Sequence, residues 1–588
     1  MEVRKDSQNG TPVASPTDTI GAFQVQTQDC IDNWAQQLGD DPDRFADMEQ
    51  QIDQHYRQGA GQLVASLLAE VTSDPQMDEH VEKIRQNAAI PLRAPQPRTI
   101  KLRLLCGLLV WVTTAYCAPR RGKAVDSTEQ LVGLYPELAA LGIGKGCSPA
   151  LQYKVARLVA LSPSIDAARK ELRREGIVLD KKTVRRIAEQ LGPQLLELRR
   201  RELVMWLAGW LPASNEFAGR RVAVQIDGGR VRLRENKKRK KNRKKQKGTR
   251  QKFNTPWREP KALVIFEFDE RGKMVTKERQ PLIDGTLLGP DNLAELVAFH
   301  LHRLGVAQAE LVVFISDGAR WIWDRLEWIE QRVGLDSSKT VHVLDFCHAA
   351  HPVSLALAAM GLTGNARKKT YIHLRKLLKR SRYDEVVSEL KKRAKRKKLN
   401  VNHDVWTEIR YLEKHGSEGH LQYLTLRRRG IPRGSGAIES TIRRVINLRL
   451  KSNAMYWLEE NAEGMFAIRA LILCERWEDT LSRLRQTMAR DCRINWKWIA
   501  PDLTKLNPDE TVSPPCKYSP NPWSDGRSDR DGISFRFHPG RRTMGEMMRV
   551  DPLSYEELER SGSAAFCSSV KRASDRFQGK NDSGLSTA

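Results

Sequence analysis

Hydrophobic positions along the chain change period from region to region, and those changes divide it. Phe45, Met48, Ile52, His55 and Tyr56 recur at helical spacing, then Leu63, Val64, Leu67, Leu68 and Val71 do so again, which predicts helices over 31–90. The polar first 30 residues are expected to be loose. Ala94-Pro95-Gln96-Pro97 breaks the pattern. Residues 99–118 then alternate and are partly β-branched or aromatic, with Cys106-Gly107 as a turn, which predicts a hairpin.

Residues 149–192 read as three short helices. Pro149 opens one through Leu151, Val155, Leu158 and Val159, and Ser162-Pro163-Ser164 opens another through Ile165, Ala168 and Leu172. Gly176 ends the second, and Asp180 can cap a third, residues 181–191. Val184, Ile187, Ala188 and Leu191 form its apolar face, while Lys181, Lys182, Arg185 and Arg186 lie off it. Such a unit is either a helix-turn-helix, with the last helix facing DNA, or a three-helix bundle with solvated cations.

From 219 the runs become short and apolar, with strands predicted at 221–226, 261–268, 273–280, 310–316 and 341–345, and helices at 291–304 and 320–333. Strands mixed with helices indicate an α+β or α/β core. No strand pattern occurs over 347–435; that stretch is too long for a bare loop and reads as a helical insertion. Helical periodicity returns at 437–451 and 455–490, and from about 495 Pro, Ser, Gly, Asp and Arg predominate, as in a poorly ordered tail. The expected organisation is 1–98 helical with a loose start, 99–148 hairpin and linker, 149–215 helix-turn-helix-like, 216–346 first part of the core, 347–435 insertion, 436–494 C-terminal core helices, and 495–588 tail.

The 588 residues are too many for one hydrophobic core. A net charge of +27 makes a polyanion the expected partner, because each neutralised phosphate releases counterions. The strongly apolar stretch Leu104 to Val112 is too short to span a bilayer, and MEVRKDSQNGTP has no signal-peptide core, so a cytoplasmic protein without a membrane partner is expected. The nine cysteines are dispersed and none forms CxxC, as in reduced thiols. Gly142-Ile143-Gly144-Lys145-Gly146 has the wrong spacing for a phosphate loop, which argues against a nucleotide-driven motor.

Candidate chemistry comes from three acids. Asp227 closes Val222-Ala223-Val224-Gln225-Ile226 and precedes Gly228-Gly229; Asp317 closes Leu311-Val312-Val313-Phe314-Ile315-Ser316 and precedes Gly318. Glu439 stands in Gly434-Ser435-Gly436-Ala437-Ile438-Glu439-Ser440, where a helix begins. Singly, each Asp-Gly reads first as a turn, and Glu439 as a first-turn acid or a partner of Arg443. Jointly, two strand-end aspartates and a helical glutamate can hold two metal ions, with magnesium or manganese suited to carboxylate oxygens. Glu267, Asp269, Asp284, Asp324 and Asp345 compete for the third place. Asp345 is the strongest rival, and with His348 it could line the same rim or simply form a strand-end turn and a helix-start histidine.

Nine of the eleven residues from Lys237 to Lys247 are basic, including Lys240, Lys241, Arg243 and Lys244. This run follows Asp227 closely and could clamp phosphates beside it or form a solvated loop. A second basic run, Lys391 to Lys398, falls in the insertion. Trp321, Trp323 and Trp328 are expected to pack their helix on the sheet. Arg320, Arg443, Arg444 and Arg449 flank the acids and could hold a substrate backbone.

Gln225-Ile226-Asp227-Gly228-Gly229-Arg230, Ser316-Asp317-Gly318-Ala319-Arg320-Trp321, Leu344-Asp345-Phe346-Cys347-His348-Ala349 and the Glu439 motif with Arg443-Arg444-Val445-Ile446-Asn447 occur in this order. Together, over roughly residues 100–480, they resemble bacterial insertion-sequence transposases of the ISKra type. The resemblance implies an RNase H-like core, Asp227, Asp317 and Glu439 as a catalytic triad, a helical insertion before the glutamate, and binding to terminal inverted repeats. It also implies assembly of copies that hold two DNA ends together. Relatives often carry paired cysteines near the N-terminus. Here Cys117 stands alone, which leaves too few ligands for a tetrahedral zinc site there.

Overall fold

The computed structural model describes residues 15–86, 88, 91–120, 133–143, 146–237, 252–452 and 455–493, with short backbone strands at 2–3, 497–499 and 534–536. Apart from the last two of these strands, the tail lies outside the described residues.

The N-terminal helices begin earlier than predicted. Helix α1 (Pro16–Asp40) opens on a capping box in which Asp18 N–H donates to Ser15 Oγ at 3.1 Å and Ser15 N–H to Asp18 Oδ2 at 3.3 Å. It packs on α2 (Phe45–Ser73) through Phe23 stacked on His55 at 4.7 Å and Thr19 against Ser66 at 2.6 Å. So few apolar groups make this contact that periodicity does not reveal it, and the expected loose start fails from residue 16 on. Helix α3 (Pro75–Gln86) follows. The predicted hairpin forms from β1 (Gln96–Arg103) and β2 (Leu109–Tyr116), antiparallel, with Gly107 at φ 90° in the turn.

Three helices follow: α4 (Pro149–Leu161), α5 (Ile165–Arg174) and α6 (Lys181–Leu207). Their caps are Ser148, Ser164 and Asp180, and Asp180 Oδ1 accepts from Lys182 N at 2.8 Å. Helix α6 does not stop near Leu191 but passes through Pro193 to Leu207. Its apolar stripe continues through Leu195, Leu198, Leu203 and Trp206, all buried. At Gly192 it crosses α14 (Glu459–Leu473) so closely that a Cβ would stand 2.7 Å from the Gly464 Cα.

The core is a five-stranded mixed sheet: β3 (Arg221–Gly228), β4 (Lys261–Glu267), β5 (Leu282–Thr286), β6 (Leu311–Ser316) and β7 (Thr340–Leu344). Their spatial order is β5-β4-β3-β6-β7. Strand β4 is antiparallel to β3 and β5, whereas β3, β6 and β7 run parallel. The third strand lies at Leu282–Thr286, not at the predicted 273–280. The segment 273–280 offers only Met274 and Val275 as apolar groups, whereas Leu282 and Ile283 are buried.

Both faces of the sheet are covered. Val222, Val224, Ile226 and Phe314 pack under α7 (Pro290–Arg303) and α8 (Arg320–Val333). Ala223, Val264, Ile315 and Val343 face the other core, shared with α4–α6 and the C-terminal helices. The stretch after β7 is helical as expected: α9 (Phe346–Ala359), α10 (Gly364–Lys379), α11 (Tyr383–Arg396), α12 (Asp404–Ser417) and a short helix at Tyr423–Arg428. Then come α13 (Gly436–Ile442), a π-helical turn at Arg443–Asn447, α14, and α15 (Trp477–Arg493). The protein is thus α+β. Among the described residues no helix is long and apolar enough to cross a membrane.

Candidate active site

Strand register builds the site. Ile226 pairs with Ser316, and Ser316 with Leu344, across three adjacent parallel strands. The next residues are Asp227, Asp317 and Asp345, so three aspartates stand in one row at the carboxyl ends of β3, β6 and β7. Ligands of open α/β sheets gather at that edge. Asp227 and Asp317 are half-buried and Asp345 is fully buried.

The row concentrates negative charge. Burial, then the neighbouring Asp317, push the Asp227 carboxyl up to about 8, against the hydrogen bond from Gly228 N–H at 2.6 Å. Burial also raises Asp317, with His348 and the Ala319 N–H opposing. Burial pulls the His348 imidazole down, but its hydrogen bond to Asp345 and the charges of Asp317, Asp345 and Asp227 win and hold it at about 9. A cationic imidazole therefore faces the row.

Asp345 serves a different purpose. Its Oδ2 accepts from the His348 backbone at 2.9 Å and pairs with His348 Nδ1 at 2.8 Å, while Oδ1 accepts from Ser435 N at 2.8 Å. Burial raises its pKa, but these donors outweigh it and keep the carboxyl below its ordinary value. With its oxygens so engaged, Asp345 caps α9 and ties β7 to the approach of α13.

Glu439 arrives on α13 through the same knot. Gln225, 1% exposed, donates from Nε2 to Gly434 O and accepts at Oε1 from Ile438 N, both at 3.0 Å. Ser435 Oγ donates to Glu439 Oε1 at 3.1 Å. Strand β3 therefore carries Asp227 and, two residues earlier on the same face, the amide that fixes the glutamate's helix. Glu439 itself is exposed.

The glycines beside the acids are explained by close approach. A Cβ at Gly229 would meet Ile446 Cδ1 of the π-helical turn at 2.5 Å, and one at Gly228 would overlap Glu259. One at Gly318 would overlap the Tyr411 hydroxyl. Tyr411 belongs to α12, so the helices after β7 reach the site; burial, then Asp317, hold its phenol protonated. Sequence reading missed Gln225 in its tethering role, Glu259 and Tyr411. Glu259 lies outside any strand pattern, and its charge acts on both Asp227 and Asp317.

The competing acids are engaged elsewhere. Glu267 pairs with Arg279 at 2.6 Å, Asp284 with Arg199 at 2.8 Å, and Asp324 with Arg320 at 3.3 Å, while Asp269 accepts from turn N–H groups. Trp328 is buried, and Trp323 Nε1 donates to Asp317 O at 2.7 Å, so these rings pack and position. Arg449 cannot hold a substrate: it is buried and donates to Val159 O at 3.0 Å. Arg443 is exposed and Arg444 half-buried beside α13.

Lys182, Arg185 and Arg186 are exposed on α6, opposite the buried Val184, Ile187 and Leu191. Lys240, Lys241, Arg243 and Lys244 lie outside the described residues. Their flanks form an antiparallel ribbon, with Val231–Arg232 against Trp257–Arg258 and Glu235–Asn236 against Phe253–Asn254. The basic run is thereby rooted between Asp227 and Glu259. Lys391 and Arg393 of the second run pair with Glu413 and Glu389.

Carboxylate oxygens crowded at a strand edge, one of them pushed up to about 8 by its surroundings, suit a hard divalent cation such as magnesium or manganese. Asp227, Asp317 and Glu439 are not drawn into a single-ion shell. Among the described residues the one group of three with ligand atoms all within 4.8 Å is His415, Glu418 and His420. A pair of ions about 3.5–4 Å apart asks for a wider arrangement of ligands than one ion does. No protein-family model, curated protein or solved structure matches this chain.

Proposed function

We propose that this chain is a metal-dependent DNA transposase, acting in the bacterial cytoplasm, and that its sheet is an RNase H-like nuclease core. The observation that carries this reading is the register Ile226–Ser316, which sets Asp227 beside Asp317, with Glu439 tethered to the same strand through Gln225.

Asp227, Asp317 and Glu439 would hold magnesium or manganese. Such ions, when bound, activate a water or 3′-hydroxyl and stabilise the leaving 3′-oxygen of a phosphodiester. The chain's own residues fix the rest. The strands position the aspartates, Ser435 orients Glu439, and the His348 cation balances part of the row's charge. The net charge of +27 supports a polyanionic substrate. Lys182, Arg185 and Arg186 would meet duplex DNA of the terminal inverted repeats, and Arg443, Arg444 and the run from Lys237 to Lys247 would hold phosphates near the cut. Holding two ends requires a homo-oligomer.

The test uses purified full-length protein and labelled DNA carrying the inverted repeats that flank its own gene, with magnesium or manganese. Cleavage at the ends is expected, lost in Asp227→Ala and Glu439→Ala while DNA binding persists. Equal binding by all three proteins with no cleavage under either metal would contradict the proposal and leave a DNA-binding protein.

A further inference from the structure

A second group of ligands lies behind the carboxylate row, on the insertion. Helix α12 ends in a Schellman turn: Gly419, at φ 81°, donates to Gly416 O at 3.1 Å, and His420 N–H returns to His415 O at 3.0 Å. This turn folds His420 back over His415 and leaves Glu418 at the rim. The two Nδ1 atoms stand 3.1 Å apart, and Glu418 Oε2 lies 3.4 Å from His420 Nδ1 and 3.9 Å from His415 Nδ1.

Ligands of a tetrahedral zinc ion, bound at about 2.0–2.1 Å, stand roughly 3.3 Å from one another. The triangle matches that spacing. Two imidazoles and a carboxylate are a donor set that suits zinc. A hydrogen bond between the rings accounts for the 3.1 Å contact in either tautomer, whereas a metal ion would engage both nitrogens and the Glu418 carboxylate together. The Glu418 side chain is 43% exposed, which gives an entry path and room for water.

We propose that His415 Nδ1, His420 Nδ1 and a Glu418 carboxylate oxygen form a zinc-type metal site, completed by water, that fixes the turn closing α12, whose His420 rests against the strand ends carrying Asp317 and Asp345. The connections are direct. The Trp323 ring lies 4.2 Å from His420, and its Nε1 donates to Asp317 O at 2.7 Å. Leu344, the residue before Asp345, donates from N to His420 O at 3.3 Å and accepts at O from Tyr423 Oη at 2.8 Å. The metal is a positioning element, distinct from any ions on the carboxylate row, and does not depend on the transposase reading.

The test is Co2+ titration of metal-stripped full-length protein, read by visible absorption. One equivalent should give a tetrahedral spectrum without thiolate charge transfer. Glu418→Gln should weaken binding more than about tenfold and His420→Gln should abolish it, with far-UV circular dichroism unchanged for Glu418→Gln. No tetrahedral band in the folded wild type, or a band unaltered by Glu418→Gln, would overturn the site. If His420→Gln does not fold, the wild-type and Glu418→Gln titrations decide.

Discussion

Gln225 is buried and makes two hydrogen bonds, and both end on the segment that delivers Glu439. Gln225→Ala leaves the buried Ile438 N–H unsatisfied, a loss of about 1–3 kcal/mol, and takes the donor from the Gly434 carbonyl. End-cleavage by this variant should fall at least tenfold while its DNA affinity stays within about twofold; unchanged cleavage would show that the tether does not position the glutamate. Asp284 gives a separate test through pH. Burial raises its carboxyl, but the charge of Arg199 and the hydrogen bond with His300 prevail and hold it at about 2, below its ordinary 3.8. A carboxyl lowered in this way contributes stability that is present above pH 3.8 and lost as pH falls through about 2, on the order of 2 kcal/mol. Asp284→Asn should be less stable at pH 7 and show a shallower loss between pH 4 and 2 in acid unfolding followed by circular dichroism. An equal slope would remove Asp284 from that role. Asp227 and Asp317 were legible in the sequence because an acid that ends an apolar run and precedes glycine marks a strand edge. Gln225 and Tyr411 were not, since what they do depends on partners about 90 to 210 positions away.

Helix α6 shows why local signals mislead. The predicted helix 181–191 ends just before Gly192-Pro193, but packing of Gly192 on Gly464 and the buried stripe beyond it outweigh the local preference of those two residues. Gly192→Val would force α6 and α14 apart and should destabilise the protein by roughly 1–3 kcal/mol, as overpacking does. A fall in the melting temperature measures this; an unchanged value would mean the crossing yields without cost. The third strand of the sheet was misplaced for the converse reason. Thr276 to Gln280 carries only charged or polar groups, and Asp284 and Gly285 make the true strand look like a turn, although Arg199 pairs with that aspartate and His300 hydrogen-bonds it from other elements. Strands β3, β4, β6 and β7 and helices α7 and α8 were legible because their apolar runs are short, strong and bounded by turn residues.

Over the whole molecule, the switch from helical to strand periodicity at 219 marks where the sheet begins and the strandless stretch from 347 is helical, and the five-stranded mixed sheet bears out the α+β class. Sheet order and the alignment of the three strand ends were beyond sequence reading, because register is set by pairing between segments that lie far apart. The His415–Glu418–His420 group was missed for a similar reason: only the reversed turn at Gly419 brings its ends together. The charge of +27 makes a further expectation. Affinity for duplex DNA should fall steeply and linearly with the logarithm of salt concentration, and Lys182→Ala with Arg185→Ala should reduce that slope by about 2 in filter binding or fluorescence titration. An unchanged slope would place the DNA elsewhere. The central claim is that Asp227, Asp317 and Glu439 hold divalent ions for phosphodiester chemistry. Electron paramagnetic resonance of Mn2+ titrated into the protein bound to its end DNA, in a Glu418→Gln background that weakens the histidine group, tests it most directly. The account predicts bound manganese that is lost on adding Asp317→Asn; retention of the same manganese signal in that variant would contradict it.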